Sequence, residues 1–73
     1  MYKNLKVYLD KQIGEHGYVC IYRKNGAFLC EGKVQELRDA PLWRLMDEEN
    51  AKITKSMKGT AESGKECNLI YIK

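Results

Sequence analysis

The stretch YVCIYRKNGAFLCEG, residues 18–32, constrains this chain more than any other. Two runs rich in β-branched and aromatic residues flank Asn25-Gly26. Asparagine and glycine tolerate the positive φ of a tight turn, so this dipeptide between apolar runs signals a β-hairpin. Two registers are open. A two-residue turn pairs Lys24 with Ala27, sets Cys20 opposite Glu31, and puts Val19, Ile21, Phe28 and Cys30 on one face. A three-residue turn with Gly26 in a bulge pairs Arg23 with Ala27 and sets Cys20 opposite Cys30. A slip of one residue turns a strand's side chains to the other face, so the choice decides whether the two cysteines are neighbours. The first register gives the better core face and is the expected one.

Around this hairpin the periodicity changes. Tyr2, Leu5, Leu9 and Ile13 are spaced by three and four, which predicts a helix over residues 2–13 ended by Gly14. A strand is the alternative there, because Leu5, Val7 and Leu9 also alternate. Asp39 is placed to cap a short helix holding Pro41, Leu42, Trp43, Leu45 and Met46. Residues 51–57 and 67–73 read as two further strands joined by 58–66. The expectation is a single α+β domain over residues 1–73, in the order α-β-β-α-β-β. Its sheet of about four strands is antiparallel, with an N-terminal helix and a short second helix packed on it.

The 73 residues allow only a small core. Hydrophobic residues make up 44% and charged ones 32%, enough apolar content to argue against disorder. The net charge of +3 is mild, and the signs are interleaved. The apolar run Leu69–Ile72 is far shorter than the ~20 residues of a spanning helix. No signal-peptide core opens the chain. These features predict a cytoplasmic protein with three reduced cysteines and no membrane contact.

Residues 59–66, GTAESGKE, nearly spell a phosphate-binding loop. Such a loop must leave a strand and open a helix, so that backbone N–H groups converge on phosphate. After Lys65 comes Glu66-Cys67-Asn68-Leu69-Ile70-Tyr71-Ile72, a strand pattern. Glu66 stands where a magnesium-binding Ser or Thr belongs, and it would repel phosphate. The segment reads as a flexible hairpin loop. His16, Cys20, Cys30 and Cys67 lack the Cys-x2-Cys spacing of common zinc sites. A cysteine nucleophile would need a base within reach and a third group to orient it; His16, the only histidine, lies in Gly14-Glu15-His16-Gly17 and reads as an exposed turn residue. No enzyme activity, metal or cofactor is expected.

Both faces of the expected strands carry apolar groups. Val19 and Ile21 alternate with Tyr18, Cys20 and Tyr22, and Leu69 and Tyr71 with Ile70 and Ile72. Two short helices can scarcely cover both faces of four strands, so one face is expected to meet another molecule. Trp and Tyr are enriched at interface hot spots. The partner-binding candidates are therefore Tyr18, Tyr22 and Trp43, with Arg23 and Lys24 at the rim. A homodimer is one form such contact could take. The alternative is a nucleic-acid surface built on Lys52, Lys55, Lys58 and Lys65, with tyrosines stacking on bases.

Val19-x-Ile21-Tyr22, Gly26 and Glu31-Gly32-x-Val34, followed by a short helix and a C-terminal hairpin, resemble small uncharacterised proteins of phages and integrative elements of Firmicutes. The lysine-rich region from Lys52 to Lys65 departs from that pattern. The resemblance implies an accessory or anti-defence factor that binds a host protein, and it carries over no catalytic residue.

Overall fold

The computed structural model describes residues 3–73 and their side chains, that of Leu42 excepted. Tyr2, expected in the first helix, lies outside the described residues. The elements run β1 (Lys3–Asn4), α1 (Leu5–Tyr8, continued by a π-helical turn over Leu9–Ile13), β2 (Tyr18–Arg23), β3 (Phe28–Lys33), α2 (Val34–Arg38), α3 (Pro41–Met46), β4 (Lys52–Thr60) and β5 (Glu66–Ile72).

The first helix forms for the reasons its sequence gives. The Asn4 side chain accepts the Val7 N–H, a standard N-cap arrangement. Gly14 ends it at φ 84°, its N–H reaching the Leu9 carbonyl at 2.7 Å in the wide π-helical pattern. Leu5 and Leu9 are fully buried. The second helix differs from expectation. Asp39 does not cap it; Asp39 closes α2, and Ala40 precedes Pro41, the first residue of α3. The helix α2 was not anticipated, because no side chain caps it. Its leading N–H groups are met from a distance: Val34 donates to the Gly17 carbonyl and Gln35 to that of Glu15, each at 3.0 Å. Arg38 then ties the helices together through Asp10 at 2.7 Å and Glu48 at 3.2 Å.

Among the described residues the sheet has five strands, in the order β1-β4-β5-β2-β3, and is mixed. Only β2 and β5 run parallel. The purely antiparallel four-strand sheet is thus corrected. The long connection through α2 and α3 carries the chain past β2, so the second hairpin lands with β5 against β2 rather than beside β3. The two residues of β1 extend the sheet beyond β4.

Both hairpins use the same turn. Arg23 N–H donates to Ala27 and Gly26 N–H to Arg23, both at 2.8 Å. Ala61 N–H donates to Lys65 at 2.8 Å and Gly64 N–H to Ala61 at 2.9 Å. Gly26 and Gly64 take φ of 93° and 92°, the left-handed position of a three-residue turn with a bulge. The first hairpin therefore begins in the register that was not expected, with Tyr22 opposite Phe28. An irregularity at Leu29 then restores the expected pairing, Ile21 with Cys30 and Cys20 with Glu31. In the second hairpin Gly64 serves the turn, and Lys65 leads into a strand, as the sequence pattern predicts.

All the helices lie on one face of this sheet. The main core there holds Leu5, Leu9, Val19, Ile21, Val34, Leu37, Trp43, Ile53, Ile70 and Ile72. No helix of the described residues is long and apolar enough to cross a membrane.

Candidate binding face

The other sheet face has no helix over it among the described residues. Its apolar cluster is small: Cys20, Ala61 and Cys67, with Tyr18, Tyr22 and Leu69 against them. Strand register builds this face in rows. Lys55 pairs with Tyr71, Tyr71 with Tyr22, and Tyr22 with Phe28, one row across four strands. The next row is Met57, Leu69, Cys20 and Glu31. In the first row the rings pack on one another. Tyr71 and Tyr22 stack with centroids 5.1 Å apart, Phe28 meets Tyr22 edge-on at 5.9 Å, and the Lys55 ammonium sits 5.8 Å from the Tyr71 ring. Phe28 remains 47% exposed and Met57 38%.

The turn after β4 folds back over the far end of this face as a strap, residues 61–65. Ala61 is buried against the two cysteines. Glu31 fastens the strap: its carboxylate accepts the Ser63 hydroxyl at 2.7 Å, the Ser63 N–H at 3.1 Å and the Tyr18 hydroxyl at 2.8 Å. The Tyr22 hydroxyl donates to Glu62 at 3.1 Å, and Lys65 lies 5.1 Å over the Tyr18 ring.

The donors from Ser63 and Tyr18 hold the Glu31 carboxyl below its ordinary pKa. The Tyr18 pKa is raised: the Ser63 hydroxyl opposes this, but the adjacent Glu31 carboxylate and partial burial outweigh it. Tyr22 is also pushed up, by the Cys20 thiol, by burial and by Glu62. Burial lifts the Cys30 thiol to about 11 and raises that of Cys67, so both stay protonated and weakly nucleophilic at neutral pH.

A depressed carboxylate contributes stability above its unfolded pKa and loses it as pH falls through the folded one. The strap should therefore loosen in acid, as pH falls through the depressed pKa of Glu31, below the ordinary glutamate range. Glu31→Ala should produce the same loosening at neutral pH, seen as about tenfold or greater faster amide exchange at residues 61–65 with β2 unaffected. Unchanged exchange at Ser63 in the variant would show that the clasp holds nothing.

The structure brings some sequence candidates together and separates others. Tyr18 and Tyr22 lie on the open face, and Arg23 and Lys24 are exposed at its hairpin end. Trp43 is 5% exposed in the core on the opposite side of the sheet, so it offers no surface to a partner. The lysines divide as well. An irregularity between Ile53 and Lys55 puts Lys52 and Lys55 on the open face, while alternation turns Lys58 to the helix side. Lys65 is taken up by the strap. Phe28, Met57, Leu69 and Tyr71 were not singled out as contacts. The alternation of both hairpins carried the signal for them once the register was known.

Cys20 and Cys30 fall on opposite faces, and His16 is exposed in the 14–17 turn. Among the described residues no three His, Cys, Asp or Glu side chains converge as metal ligands would. Comparison of the chain with known protein families, with curated proteins and with solved structures finds no match.

Proposed function

We propose that this is a small binding protein that works by occupying a surface on a partner protein, through the open sheet face and not through chemistry of its own. One observation carries the reading: a sheet face with no helix over it among the described residues, on which Tyr71, Tyr22 and Phe28 pack in one row across three strands, with Phe28 and, in the next row, Met57 left exposed. Apolar groups so arranged add little to the fold's own core, and exposed apolar patches of this kind mark contact sites. The molecule measures 29 × 24 × 22 Å, so the face approaches the ~800 Å² that each partner gives to a standard interface. The sheet edges invite contact less, since irregularities interrupt both β3 and β4.

Protein contact is favoured over nucleic acid by the rings. Base stacking needs free ring faces. Here Tyr22 and Tyr71 use theirs on each other, and the Tyr18 face is covered by Lys65. Self-association through the same face is the homodimeric version of this reading, and sedimentation of the purified protein separates it from a foreign partner.

The test is capture of tagged protein from cell lysate with and without nuclease, beside a Phe28→Asp, Met57→Asp double variant. A stoichiometric protein should survive nuclease and be lost with the variant, while thermal unfolding of the variant shifts by only a few degrees. Capture that disappears with nuclease, or that the variant leaves intact, overturns the reading.

A further inference from the structure

The charge around the open face is not evenly spread. The two hairpins, residues 18–33 and 52–73, hold eight basic and three acidic side chains. The remaining residues hold five basic and seven acidic. The mild net charge thus conceals a pair of hairpins at +5 and a remainder, which holds the helices, at −2.

Register concentrates the positive charge beside the aromatic row. Lys55 ends that row on β4. One step beyond it, the Lys73 N–H donates to the Lys52 carbonyl at 2.9 Å, and Lys24 follows the end of β2. Arg23, Lys24, Asn25 and Lys73 line a shallow depression of about 440 Å³ there. Among the described residues Arg23, Lys24 and Lys52 make no ion pair. The acids of the face sit in or beside the strap, and Glu31 and Glu62 already accept hydrogen bonds.

We infer that the partner docks an acidic segment on this end of the sheet, with an apolar side chain against Phe28 and Tyr71 and carboxylates toward Lys24, Lys52 and Lys55. This rests on the open face being a protein-binding surface. Charge complementarity selects the acidic occupant, because opposite potentials steer encounter and a basic segment would be repelled. The aromatic row assists. Tyr22 and Tyr71 spend ring faces on each other, and ring edges carry the positive part of the quadrupole. Carboxylates are welcome at such edges, whereas flat bases need faces.

The probe is a fluorescein-labelled peptide of Asp, Glu, Leu and Phe, measured by anisotropy against the full chain. A composition-matched peptide with Lys for the acids, an oligothymidylate and phosphatidylserine vesicles serve as competing ligands. The acidic peptide should bind, the basic one should not, and Lys24→Glu with Lys52→Glu should weaken binding about tenfold or more at physiological salt. Those two residues are exposed, so the variant should keep its wild-type unfolding midpoint. Tighter binding of the oligonucleotide or of vesicles, or an acidic peptide indifferent to the charge reversal, overturns the inference. The two proposals fail separately. Lysate capture that needs Phe28 and Met57 but ignores Lys24 and Lys52 sinks the acidic partner and leaves the binding face standing; capture indifferent to all four sinks both.

Discussion

Replacing Trp43 by alanine will leave most of this protein unfolded in water. Trp43 is nearly buried against the core between α3 and the sheet. Truncating a buried Trp costs about 3–5 kcal/mol, from lost burial and from the cavity left behind. A domain of this size has roughly 5 kcal/mol to lose. The ring also holds a weakness. Its buried indole N–H finds no hydrogen-bond partner among the described residues, and a buried donor left unpaired costs about 1–3 kcal/mol. Phenylalanine removes that group and keeps most of the apolar bulk, so Trp43→Phe should cost less than about 1.5 kcal/mol. Urea unfolding followed by circular dichroism reads both. An alanine variant that stays folded but cannot capture a partner would return Trp43 to the interface that the sequence suggested.

That contrast shows what was legible in the chain. Local chemistry was readable. Asn25-Gly26 gave the hairpin, Gly14 the helix end, and the strand pattern after Lys65 disposed of the phosphate loop. Tertiary chemistry was not. The pairing of β2 with β5 depends on where a long connection lands. The start of α2 is supported by carbonyls of Glu15 and Gly17, far along the chain, and no residue beside it announces a cap. The irregularities at Leu29 and near Thr54 each shift register by one, which changes the neighbours of every later side chain. A spacing of three alternates faces in a regular strand, so Lys52, Lys55 and Lys58 could not make one lysine face; the irregularity near Thr54 joined only the first two. Trp43 was misplaced for a related reason. A Trp in a short amphipathic helix has the same sequence signature whether that helix packs inward or meets a partner.

Ile70→Ala and Leu69→Ala should behave very differently, although the residues are adjacent in β5. Ile70 is fully buried in the helix-covered core and pairs with Ile21 and Ser56 across the central strands. Its truncation should cost about 2–5 kcal/mol and bring the protein near its unfolding limit. Leu69 is half-buried on the open face, between Cys20 and Met57. It rests over Gly59, where an added Cβ would come within 2.6 Å of its Cδ1. Truncation there exposes its surroundings to water instead of leaving a sealed cavity, so about 1 kcal/mol is expected. Both substitutions replace a branched aliphatic in the same strand, so most of the difference between them measures the difference between the faces. Equal costs would mean that the open face is a second core, and its aromatic row would need no partner to account for it. Unequal costs mean that Leu69, Tyr71, Tyr22 and Phe28 spend apolar surface where the fold gains little from it. Such residues weaken solubility unless another molecule covers them. A Leu69→Ala protein that keeps its stability and loses its partner would tie that uncovered surface directly to binding.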